Sequence, residues 1–187
     1  LSNDLSNSLV IGHSLGGTIG IKLAVNPELD IKKLIIVDAL PATGALMMPD
    51  FNPEKLHYDS PYNEQMLSMD ERAFTQMASG MAAGMTSNKL GQEEIIKWIN
   101  TTDRKTFVYG YTDYLKFDVR EDLKSVKMPV TILAAGKPYG EEMVRANLKN
   151  QYQNLADYHL FLNADSAHFI MMDQPEWFME QLKTALK

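Results

Sequence analysis

Ser14 and His168 are the two side chains whose types and surroundings most readily do chemistry together. Ser14 sits in Gly12-His13-Ser14-Leu15-Gly16-Gly17, directly after the apolar run Leu9-Val10-Ile11. Glycines two residues to either side of a serine suit a sharp strand-to-helix turn that exposes the hydroxyl on a strained backbone. An unassisted serine hydroxyl attacks acyl carbons poorly. It needs a base within hydrogen-bond reach and N–H donors aimed at the developing oxyanion. The backbone N–H of Leu15 is the donor such a turn supplies, and the helix that follows adds a favourable dipole.

Of the four histidines, His168 is the expected base, because it lies in a polar stretch after the last expected strand. His13 reads as helping to shape the turn, His57 falls within residues 41–125, and His159 lies near the start of the last expected strand, at the end of the sheet away from Ser14. A third group, an acid, must hold the imidazole in the right tautomer. Asp38, at the end of the run Lys33–Asp38, is the leading candidate; Glu141 and Glu142 are the alternatives, with Asp113 and Asp118 behind them. No H-E-x-x-H or phosphate-loop pattern is present and the histidines are mostly far apart, so neither a metal nor a nucleotide cofactor is expected.

The elements that must position these residues follow from hydrophobic pattern and punctuation. Strands are expected at Leu9–Gly12, Lys33–Asp38, Met128–Gly136 and Tyr158–Leu162, and helices at Gly16–Val25, Glu141–Tyr152 and Pro175–Leu186. Between them, Pro41–Pro61 reads as loop, followed by helices at Glu64–Met85, Gly91–Asn100 and Phe107–Leu115. The pattern is a mostly parallel α/β sheet flanked by helices, with a helical lid inserted over the carboxyl ends of its strands. It divides into 1–40, carrying the serine turn, 41–125, the insertion, and 126–187, carrying the histidine loop. The insertion is rich in methionine and other apolar residues (Leu46, Met47, Met48, Phe51, Met66, Met69, Phe74, Met77, Met81, Met85), which either line an apolar pocket facing the sheet or fill the core of a simple helical lid.

Composition narrows the class. The chain has 187 residues, 45% of them hydrophobic, enough for one sizeable core. Lys and Arg total 18 against 24 Asp and Glu, without a basic cluster, which argues against a nucleic-acid partner. No apolar run is long enough to span a membrane, so a soluble protein is expected. The absence of cysteine removes thiolate chemistry but does not separate cytoplasm from periplasm, with a slight lean to the cytoplasm.

Three stretches resemble the α/β-hydrolase superfamily in its lidded, esterase/lipase-like branch: the Gly12–Gly17 turn, Val126–Leu133, and Ala167–Ile170 followed by Asp173-Gln174-Pro175. The resemblance implies the C-terminal part of that fold, with Ser14 after the fifth strand, Asp38 after the sixth, Gly136 ending the seventh and His168 after the eighth. Most relatives place the acid after the seventh strand, where this chain has Lys137-Pro138-Tyr139; some place it after the sixth. It also implies a second oxyanion donor from a loop after the third strand. With only residues 1–8 ahead of the first strand, the expectation is that an N-terminal segment of the same protein, or a second chain, supplies that loop and a neighbouring strand. The function so implied is a serine hydrolase acting on small apolar carboxylic esters or related acyl compounds, with lactones, carbon–carbon bonds and serine-dependent haloperoxidation also open. A serine nucleophile argues against dehalogenase chemistry. The alternative is a noncatalytic hydrolase-fold interaction or regulatory protein.

Overall fold

The computed structural model describes residues 7–187. Four parallel strands form one sheet in the order β1 (Ser8–His13), β2 (Ile31–Val37), β3 (Val130–Ala135), β4 (His159–Asn163). Each expected strand is present, with ends moved by one or two residues.

β2 and β3 are the inner strands and are apolar on both faces, as a parallel sheet covered by helices requires. Alternation sorts their side chains. Leu34, Ile36, Val130, Ile132 and Ala134 pack on one face with Ile21 of α1 (Leu15–Ala24) and Leu148 of α7 (Glu141–Gln151). Ile35, Val37, Leu133 and Ala135 point the other way, onto Ile170 of α8 (Ile170–Asp173) and Ala185 of α9 (Pro175–Leu186). The carboxyl ends of all four strands therefore emerge on one rim, and Ser14, Asp38 and Gly136 each follow a strand directly.

Between β2 and β3 the chain makes a helical insertion: α2 (Thr43–Met47), α3 (Pro61–Ser68), α4 (Glu71–Met85), α5 (Lys89–Thr101) and α6 (Arg104–Lys116). The stretch expected as one helix, Glu64–Met85, is two. Met69 leaves helical geometry, and the Asp70 carboxylate then accepts from Ala73 N at 2.8 Å, starting α4. The same device starts α3 at Ser60, α5 at Asn88 and α6 at Asp103. The expected loop Pro41–Pro61 also contains α2 and a short 3-10 turn at Pro53–Lys55. The insertion has its own core of Met66, Phe74, Ala78, Ala82, Ile95, Ile99 and Val108. Among the described residues, no helix is long and apolar enough to cross a membrane.

Candidate active site

The turn after β1 is built by close approach. A Cβ on Gly12 would lie 2.2 Å from the Gly16 carbonyl oxygen, and one on Gly17 would lie 2.5 Å from the Ala39 Cβ. Glycine is thus required where α1 folds back on the strand. Gly16, expected to serve the same purpose, faces open space, so the close packing rests on Gly12 and Gly17. Ser14 takes φ 54° and ψ −126°, a conformation L-residues seldom hold. It is pinned by Ser14 N donating to Val37 O at 3.0 Å, and its own carbonyl accepts from Gly17 N and Thr18 N. The half-buried Ser14 side chain makes no cap hydrogen bond to α1. Leu15 is the first residue of that helix, so its N–H is one of the donors that a helix start leaves without an intrahelical acceptor.

Asp38 and His168 come together across 130 residues: His168 Nδ1 lies 2.7 Å from Asp38 Oδ2. A carboxylate accepts only, so Nδ1 carries the proton and neutral His168 keeps a lone pair on Nε2. The other carboxylate oxygen, Oδ1, accepts from Ala135 N at 2.9 Å. Asp38 has φ 42°, in the left-handed region that Asp tolerates better than most residues. Its loop is held by four hydrogen bonds from other parts of the chain. Tyr152 OH donates to Ala39 O, Thr18 Oγ1 to Leu40 O, Val119 N to Pro41 O, and Gln151 Nε2 to Ala42 O.

The other acids lie elsewhere. Glu141 pairs with Arg145 along α7, and Glu142 is exposed on the same helix. Asp113 accepts from Tyr58 OH, and Asp118 pairs with Arg120. Among the described residues, no group of three or more His, Asp or Glu is placed to hold a metal ion.

His13 does more than shape the turn. Its ring lies 4.5 Å from that of His168 and 4.7 Å from Phe169, and Nε2 lies 3.0 Å from the His168 carbonyl oxygen. A carbonyl only accepts, so Nε2–H donates and His13 is neutral or protonated, never without that proton. Burial, reinforced by the neighbouring His168 imidazole, lowers the His13 pKa from 6.5 to about 4. The unfolded chain therefore binds a proton here below pH 6.5 that the folded protein refuses until about pH 4. The stabilisation is complete above 6.5 and lost as pH falls through that window, worth up to about 3 kcal/mol. In thermal melts from pH 7 to 4.5, His13→Phe should flatten the acid slope of Tm; parallel profiles for the two proteins would contradict this.

A cavity of about 200 Å³ adjoins the Asp38–His168 pair, walled by Leu40, Leu46, Tyr114, Val144 and Leu148, with Lys137 and Tyr139 among its polar lining. Ser14 does not line it. Of the two readings of the insertion's methionines, core filling is the one the structure shows for Met66, Met69, Met77, Met81 and Met85. Met66, Met77 and Met81 border a separate cavity of about 190 Å³ within the insertion, and with Met69 and Met85 they pack into or against its core. Of the apolar insertion residues singled out from the sequence, only Leu46 reaches the cavity beside His168.

Comparison with known proteins agrees with this architecture. The chain superimposes on a hydrolase from Pseudomonas aeruginosa PA01 with a TM-score of 0.73 at 16% identity, covering 97% of this chain and 65% of that one. An enol-lactonase from Burkholderia xenovorans LB400 gives 0.69 at 14% identity, covering 97% and 66%. An esterase from Exiguobacterium antarcticum gives 0.73 at 17% identity, covering 97% and 68%. The chain thus spans about two thirds of the length of these structures. No curated protein matches it. The family model described as the alpha/beta hydrolase family matches residues 3–181, nearly the whole chain, and the protein belongs to that family.

Proposed function

We propose that the protein is a lidded, esterase-like serine hydrolase that cleaves small carboxylic esters or related acyl compounds through Ser14, His168 and Asp38. The observation that carries this reading is the 2.7 Å contact between His168 Nδ1 and Asp38 Oδ2 on the rim where the strained Ser14 turn also ends. Proteins called an esterase and an enol-lactonase among the structural neighbours support the same class of reaction.

In this mechanism His168 Nε2 takes the Ser14 hydroxyl proton as Oγ attacks the acyl carbon. Asp38 stabilises the imidazolium that forms and keeps the ring oriented. Leu15 N–H donates to the oxyanion, with the start of α1 adding its dipole. Collapse of the tetrahedral intermediate expels the alcohol, protonated by His168. Water then attacks the acyl-enzyme with the same base and the acid is released. Segment 41–125 serves as the lid, and Leu46 brings it to the cavity wall beside His168.

That cavity, at about 200 Å³, is below the ~300–1,000 Å³ of sites for drug-sized ligands, so it fits a short apolar group. Acetyl and butyryl p-nitrophenyl esters should be hydrolysed with higher kcat/KM than the dodecanoyl ester, and Ser14→Ala should reduce turnover to background. Equal rates for all chain lengths would reject the cavity as the acyl site. Undiminished turnover in Ser14→Ala would reject the nucleophile, and no turnover of any ester by the intact protein would favour a noncatalytic role.

A further inference from the structure

One carboxylate outside the proposed triad joins the insertion to the histidine loop. Asp173, at the end of α8, accepts four hydrogen bonds and, among the described residues, has no cation beside it in an ion pair. Its Oδ1 accepts from Thr86 Oγ1 at 2.5 Å, Ser87 N at 2.8 Å and Asn88 N at 3.2 Å, all at the corner between α4 and α5. Its Oδ2 accepts from Ala167 N at 2.8 Å, the residue preceding His168. Burial favours the neutral acid, but these donors outweigh it and hold the pKa of Asp173 below the ordinary carboxylate value.

The corner is seated on the histidine loop by further contacts. Phe169 N donates to Met85 O at 2.9 Å, and Asn88 Nδ2 donates to Met172 O at 3.1 Å. Thr86 is fully buried, and Gly91 near the start of α5 faces Met172 of α8, whose Sδ lies 2.7 Å from where a Cβ on Gly91 would stand. On its other side the same loop is gripped by His13 through the His168 carbonyl.

We propose that Asp173 is a positioning residue for His168: its two oxygens couple the seating of the α4–α5 corner to the placement of the base. The inference rests on the serine-hydrolase reading for its effect on turnover, though the coupling itself is independent of it. The chemistry of the site makes the claim sharp. All four partners are donors, and only a carboxylate offers an acceptor on both sides. An asparagine can satisfy the three corner donors or Ala167 N, and must turn its own NH2 toward the other.

Asp173→Asn is therefore expected to keep the corner and release the loop. Native-state amide exchange should quicken at Ala167 and His168 by about tenfold or more, with Ser87 and Asn88 less affected. Fluorophosphonate labelling of Ser14 should slow in parallel, and kcat for a short ester should fall with KM nearly unchanged. Thr86→Val tests the coupling from the far side and keeps the carboxylate. It should quicken exchange at Ala167, and it should add no further loss of kcat in the Asp173→Asn background. The proposal is overturned if Asp173→Asn leaves exchange at Ala167 as in the wild type, or if Thr86→Val disturbs only residues 86–88. Should Asp173→Asn fail to fold, exchange in Thr86→Val decides alone. Should the wild type neither label nor turn over esters, the hydrolase reading fails while exchange still decides the coupling.

Discussion

Asp38→Asn is expected to lower turnover by about 10⁴-fold while leaving the fold in place. The carboxylate faces two donors, His168 Nδ1–H at 2.7 Å and Ala135 N–H at 2.9 Å. An amide has one acceptor oxygen, so it cannot serve both. If the oxygen goes to Ala135, the NH2 faces His168 and drives the imidazole to the tautomer protonated on Nε2, which cannot accept the Ser14 proton. Asparagine matches aspartate in shape and tolerates the φ of 42° equally well, so the melting temperature should hardly move. Glu141→Gln is the companion variant, and it should keep full turnover, since Glu141 is engaged by Arg145 on an exposed helix face. Steady-state kinetics on a short ester, beside circular dichroism melts, measure both. Turnover within tenfold of wild type in Asp38→Asn would remove Asp38 from the triad.

The largest effect on stability should come from Gly12→Ala. The new methyl would stand 2.2 Å from Gly16 O, 2.4 Å from Gly16 C and 2.6 Å from Gly17 N. These are backbone atoms, so no rotamer change relieves the clash and the turn between β1 and α1 must open. Overpacking in a core ordinarily costs about 1–3 kcal/mol; a collision with fixed backbone places this one at the top of that range or beyond. For a chain of this size about 3 kcal/mol corresponds to a fall in Tm of about 6–12 °C. Gly16→Ala is the informative contrast. Nothing lies within 4 Å of its Cβ position and its φ is not positive, so it should melt within a degree or two of wild type or slightly above. A greater loss of Tm in Gly16→Ala than in Gly12→Ala would contradict the structure of the turn.

Much of the rim was legible because its signals are local. An apolar run meeting Gly-His-Ser-Leu-Gly-Gly marks a strand, a turn and a helix, and the run ending at Asp38 marks a second strand exit. The place of His168 after the last strand was readable too, and there it meets Asp38. What the pattern left ambiguous was the proposed acid, because Asp38 and Glu141 both follow strand ends; in the structure Asp38 lies beside His168 while Glu141 pairs with Arg145. The break at Met69 carried a readable signal in Asp70, three residues before Ala73, but the helical periodicity of the flanking residues masked it.

Other features had no local signature. The methionines of the insertion look alike in sequence whether they face a substrate or one another, and their partners, such as Ile95 and Val108, lie on other helices. The role of His13 depends on a carbonyl 155 positions away, and that of Asp173 on a helix corner about as remote as the insertion itself. Both are contacts between elements that only the assembled sheet brings together, and both converge on the loop that holds His168.

The central claim is that Ser14 is an activated nucleophile served by His168. The most direct measurement is covalent labelling of the intact protein with a fluorophosphonate, read by mass spectrometry and peptide mapping. One phosphonyl group should appear on Ser14, be absent in Ser14→Ala, and form at least ~100-fold more slowly in His168→Ala. No adduct on the wild type, or an adduct on another residue that persists in Ser14→Ala, would contradict the account.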